Sequence, residues 1–72
     1  MYIVTLGKQI RTTKKLTTAY IWARKHLKSE ISNIDELYVA VRQLYYGCMI
    51  MEIGDTNRIK TEFYQIRRVN EK

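Results

Sequence analysis

Residues 32–53 read SNIDELYVAVRQLYYGCMIMEI, and the division of this stretch decides the fold. Two start signals overlap at its head: Ser32 precedes Asp35 by three positions, and Asn33 precedes Glu36 by three, the spacing of a capping box. A helix is expected over 34–46, with Ile34, Leu37, Tyr38, Val41, Leu44 and Tyr45 forming its apolar stripe. Gly47 falls where the C′ glycine of such a helix belongs. Residues 48–53, CMIMEI, then make an apolar run of strand length.

Working outward, GDTN at 54–57 is a turn cluster, and RIKTEFYQI at 58–66 alternates well enough to be a partner strand for 48–53. A bulge near Phe63 and Tyr64 would turn Phe63, Tyr64 and Ile66 inward together. In that hairpin Glu52 would face Arg58 or Lys60. Residues 67–72, RRVNEK, are polar and read as a frayed tail. Toward the N-terminus, 16–28 reads as a helix whose stripe is Leu16, Ala19, Tyr20, Ala23 and Leu27, capped by Thr13 or Thr17. Residues 2–6, YIVTL, read as a strand with Tyr2, Val4 and Leu6 on one face. KQIRTTKK at 8–15 fits either a short strand over 9–13 or an irregular basic loop. The expected order is strand, helix, helix, strand, turn, strand. This is an α+β fold, two helices packed on a small antiparallel sheet, in one domain of 72 residues.

The charge is unevenly placed. Lys8, Arg11, Lys14, Lys15, Arg24, Lys25 and Lys28 come before any acid in a chain of net charge +6. Residues 30–55 hold Glu30, Asp35, Glu36, Glu52 and Asp55 against one base, Arg42, and cations return at Arg58, Lys60, Arg67 and Arg68. One-signed charge over a third of a small domain makes a field that favours polyanions. The residues expected to contact nucleic acid or another polyanion are therefore Lys14, Lys15, Arg24, Lys25, Lys28, Arg58, Lys60, Arg67 and Arg68. Helix 34–46 has a second flank, Asp35, Val39, Arg42 and Tyr46, and Ile21 lies among Arg24, Lys25 and Lys28. Apolar side chains ringed by charge mark Ile21, Val39, Arg42 and Tyr46 as partner contacts.

Chemistry-bearing groups are sparse. Cys48 starts an apolar run and reads as core. His26 follows Trp22 by four and reads as its helical neighbour. Asp35 and Glu36 suit the positive end of a helix dipole. No metal cluster, phosphate loop or cofactor fingerprint is present, and no enzyme activity or cofactor is expected. A single cysteine cannot form an internal disulfide, which suits a reducing, cytoplasmic setting. MYIVTLGK has too short an apolar run for a signal peptide, and no run is long enough to span a membrane.

Element order over 16–66 resembles a minimal winged helix-turn-helix: two helices joined by a short polar break, then Gly47, a strand, the GDTN tip and a returning strand. The resemblance implies that 34–46 enters a DNA major groove and that Arg58 and Lys60 touch phosphate at the wing. The charges point instead to the flank of helix 16–28 and the loop before it. The reading is a small non-enzymatic nucleic-acid-binding regulator that contacts mainly backbone phosphate. The alternative is a protein-binding inhibitor or adaptor, of the kind viruses and mobile elements encode, docking its basic face on an acidic groove. A homodimer formed through an open strand edge in 48–66 is a third expectation.

Overall fold

A computed structural model describes residues 1–58 and 64–70. The chain is α+β, with two helices on one face of a four-stranded antiparallel sheet. Its elements are β1 (Tyr2–Leu6), β2 (Gln9–Thr13), α1 (Leu16–Glu30), α2 (Ile34–Met49), β3 (Thr56–Arg58) and β4 (Tyr64–Arg68), and the sheet order is β2-β1-β4-β3.

The first hairpin follows from one glycine. Leu6 pairs with Gln9, leaving Gly7 and Lys8 as a two-residue loop. Gly7 has φ +62, and a positive φ at that position is what tight hairpin turns demand. Residues 9–13 are thus a strand rather than a loop. The period of two in β1 then sorts side chains by face: Tyr2, Val4 and Leu6 are buried under the helices, joined from β4 by Tyr64 and Ile66.

In α1 the expected stripe holds: Ala19, Ala23 and Leu27 are buried, with Leu16 and Tyr20 packed partly against them. Neither Thr13 nor Thr17 caps it. The N-cap is Lys15, without a side-chain cap bond, and Thr13 Oγ1 accepts from the Lys15 amide at 3.2 Å. At α2, Asn33 wins over Ser32. Its Oδ1 accepts from the amides of Asp35 at 2.9 Å and Glu36 at 3.1 Å, covering two of the donors a helix start leaves open.

The second half of the chain departs from expectation. Residues 48–53 are not a strand: α2 runs through Gly47 to Met49, and a turn follows. The reason lies across the core. A Cβ at position 47 would stand 2.5 Å from Cγ and Oδ1 of Asn57, so the glycine makes room for a side chain of β3 instead of ending the helix. Continuing the helix puts Cys48 one turn below Leu44 and two below Ala40, and these three are its buried stripe. Ile34, Tyr38 and Tyr45, expected in the core, are exposed.

The hairpin is therefore shorter and shifted. β3 pairs Thr56 with Arg67, Asn57 with Ile66 and Arg58 with Gln65, and Glu52 lies in the turn before it, outside the ladder. That turn is tied by the Asp55 carboxylate, which accepts from the Glu52 amide at 2.9 Å, and by Gly54 at φ +95, which donates to the Arg68 carbonyl at 2.8 Å. The proposed bulge at Phe63 lies outside the described residues, as does Lys60. Arg67 and Arg68 are not frayed; they end β4, and the Val69 amide donates to the Met1 carbonyl at 2.9 Å.

Candidate interaction surface

The site begins with the composition of α2. Of its residues, only Asp35, Glu36, Arg42 and Gln43 are charged or amide-bearing, so apolar side chains occupy far more of its circumference than the buried stripe can use. What remains faces outward. Ile34 is 78% exposed, Tyr38 66%, Tyr45 50% and Met49 63%, and these positions recur on one side at helical spacing. Ile50 and Ile53 extend the exposed apolar surface past the end of α2.

Helix α1 supplies the other bank. Tyr20, Arg24 and Lys28 are one turn apart along it, and all three line the seam between the helices. The seam is two shallow depressions in series that share Tyr38 and Val41. One is completed by Arg24, Lys28, Ile34 and Leu37. The other is completed by Tyr20, Arg42, Tyr45 and Tyr46. Tyr45 packs edge-on against Tyr20 at 6.1 Å and Tyr46 at 5.7 Å, and the Arg42 guanidinium stands 5.6 Å from the Tyr46 ring centre. Among the described residues the linings contain three cations and no acid.

The remaining expected contacts are spread around the molecule. Ile21 is exposed on α1, as are Val39, Arg42 and Tyr46 on the flank of α2. Lys14 and Lys15 lie between β2 and α1. Lys25 lines a separate cleft on the far flank of α1 with Leu6, Arg11, Trp22 and His26, where the Arg11 guanidinium is 4.1 Å from the Trp22 ring centre. Arg67 is exposed and pairs with Ile3, on the sheet face away from the helices. Arg68 is committed internally: Nη1 donates to the Met51 carbonyl at 2.9 Å and the guanidinium lies 5.8 Å from the Tyr2 ring centre. Arg58 pairs through its backbone in β3. Among the described residues the cations thus do not form one face. Arg24, Lys28 and Arg42 share the seam with tyrosine rings, whereas Lys25 lies beside Trp22 and Arg68 beside Tyr2 on other sides of the molecule.

Sequence reasoning missed Tyr20, Tyr38 and Tyr45 as surface groups. The signal was present in α2, whose apolar positions outnumber what one buried stripe of a small domain can hold.

Behind the seam lies a polar cluster. Asn57 Nδ2 donates to the Leu44 carbonyl at 3.1 Å and to Cys48 Sγ at 3.5 Å, while the Tyr64 hydroxyl donates to Asn57 Oδ1 at 3.1 Å. Burial pushes the Cys48 thiol up, against a smaller opposing effect of the Asn57 bond. Burial likewise pushes the Tyr64 hydroxyl well above its ordinary value, with Cys48 adding to the shift. Both groups stay neutral, as a structural cluster requires. Among the described residues no three His, Cys, Asp or Glu side chains are grouped to hold a metal ion, and no helix is long and apolar enough to cross a membrane.

Comparison with known protein families, with curated proteins and with solved structures finds no significant match for this chain.

Proposed function

We propose that this chain is a small, non-enzymatic protein-binding module that docks through the outer face of its helical layer onto an acidic protein surface. The observation that carries this reading is the exposed apolar side of α2, Ile34, Tyr38, Tyr45 and Met49, bordered by Arg24, Lys28 and Arg42. Large apolar side chains half or more exposed at helical spacing on one helix are the kind of surface that marks a protein contact. Tyr, Met and Arg are also the residues enriched at the centres of protein interfaces. Phosphate contact needs cations in an array, whereas here they edge an apolar floor. A buried lone cysteine supports a cytoplasmic setting.

The test is site-specific photo-crosslinking in the native host from position 38, with position 43 as control. Protein adducts from 38 that resist nuclease and vanish with Tyr45→Asp are expected. Equal adducts from both positions, or adducts to nucleic acid alone, would sink the reading.

One observation favours a second reading. The acid-free residues 1–29 suit a polyanion, with Lys14, Lys15, Arg24, Lys25 and Lys28 touching nucleic-acid phosphate. A mobility-shift titration on duplex and single strands decides it, because binding through phosphate must weaken steeply with salt.

A further inference from the structure

We infer that the occupant of the α1–α2 seam is an amphipathic helix of a partner protein, with acidic residues flanking its apolar stripe. The inference rests on the protein-binding reading above and adds the occupant's conformation and the placement of its acidic residues.

Conformation follows from what the seam offers. Both banks are helices, whose backbone groups bond within their own turns, so a partner finds side chains only. An extended segment laid there would leave its amides and carbonyls without partners, whereas a helix brings them already paired. The floor suits that shape. It runs from Ile34 to Tyr45, twelve residues of α2, or about 16 Å and three helical turns. Tyr38 and Val41 mark its middle. Backbone pairing is available elsewhere, at the outer edge of β2, and a partner that used it would bind on a different side of the molecule.

Charge selects among helices. Arg24 and Lys28 stand one turn apart on one bank, Arg42 stands on the other, and among the described residues no carboxylate lines either depression. Acids one turn apart on the partner would meet the α1 pair. A second copy of this chain is a poor occupant. A two-fold contact sets each patch against itself, bringing these cations onto their own images in a chain of net charge +6.

The experiment uses the full chain and three labelled peptides of about 15 residues, enough for four turns. The first has a leucine stripe at helical spacing flanked by glutamates. The second carries lysines in place of the glutamates, and the third has a proline at the centre. Binding is followed by fluorescence anisotropy and mapped by amide chemical shifts. The acidic peptide is expected to bind with shifts centred on Tyr20, Tyr38, Val41 and Tyr45. The lysine and proline peptides are each expected to bind at least about tenfold more weakly. Arg24→Glu with Lys28→Glu should reverse the preference between the acidic and basic peptides, an effect that lost packing would not produce.

Undiminished binding of the proline peptide overturns the inference and leaves the protein-binding reading standing; equal binding of acidic and basic peptides at the seam overturns the inference and the acidic character of the partner with it, leaving only protein binding. No binding at the highest peptide concentration, shifts at Gln9–Thr13 instead of the seam, or seam shifts that grow with protein concentration alone, also overturn it. Seam shifts produced by duplex DNA but by no peptide would overturn both readings.

Discussion

Gly47→Ala should destabilise this protein, although the same change in most helix interiors is stabilising. Position 47 lies inside α2, where replacing glycine by alanine is ordinarily worth about 0.8–1.0 kcal/mol in favour of folding. Here the new Cβ would fall 2.5 Å from Cγ and Oδ1 of Asn57 and 2.6 Å from Nδ2. Asn57 cannot swing aside freely, because it is buried and bonded both to the Leu44 carbonyl and to the Tyr64 hydroxyl. Displacing it costs about 1–3 kcal/mol, either as overpacking or as an orphaned hydroxyl on a fully buried tyrosine. Set against the helix gain, this leaves a net loss of up to about 2 kcal/mol. For a domain this size that is a fall of up to about 16 °C in Tm. The control is the same substitution in an Asn57→Ala background, where the obstructing side chain is gone and Gly47→Ala should stabilise by up to about 1 kcal/mol. Urea denaturation of the four proteins of the cycle, in a stabilising osmolyte so that every member stays folded, supplies the coupling energy. A Gly47→Ala change that stabilises both backgrounds equally would refute the account of why the helix continues through this glycine.

Three further outcomes follow from the same contacts. Folding holds Tyr64 and Cys48 neutral with raised ionisation, so their contribution is full below the ordinary thiol and phenol values and falls as pH climbs through about 9 to 11; denaturation across that range should show a decline that Tyr64→Phe flattens, and a rise in stability would contradict the sign. Asn33→Ala should cost about 1 kcal/mol by uncovering two amides, whereas Ser32→Ala should cost almost nothing, as chemical denaturation will tell. Leu44→Ala should cost about 2–5 kcal/mol while the more exposed Tyr38→Ala stays within about 0.5, and a large loss at Tyr38 would mean that the outer face of α2 is part of the core.

Local rules made some of this molecule legible in advance. Alternation in YIVTL identified the buried face of β1, the stripe of α1 was correct from Leu16 to Leu27, and Asn33 stood where an N-cap stands. The failures share a cause: each was decided by a residue distant in sequence. Gly47 looks like a helix stop until Asn57, ten positions on, is seen to need the space. Cys48 looks like the start of a strand until its place below Leu44 on α2 is known. The stripe of α2 was misassigned because Tyr and Ile outrank Ala on any hydrophobicity scale, while the interior took Ala40 and Cys48. Small side chains let a helix lie close to its neighbours, and that preference does not register in periodicity. The basic residues are close in sequence, but strand alternation and an internal bond place Arg67 on the far sheet face and tie Arg68 to Met51, a separation that sequence spacing does not register.

That misassignment also explains why the candidate surface exists. A chain of this length has a marginal core, and α1 already lies across β1, β2 and β4, leaving α2 the margin of the sheet at β3. With Ala40, Leu44 and Cys48 inward, Ile34, Tyr38, Tyr45 and Met49 are left exposed among the described residues. Exposed aromatic surface on this scale invites self-association. Arg24, Lys28 and Arg42 oppose it, since any symmetric pairing of two seams brings like charges together in a low-dielectric contact. The same cations attract an acidic stripe of the right spacing. Under the proposed docking, repulsion of a second copy and attraction of an acidic helix would thus be two results of one arrangement. Neutralising these side chains should therefore weaken partner binding and promote aggregation together.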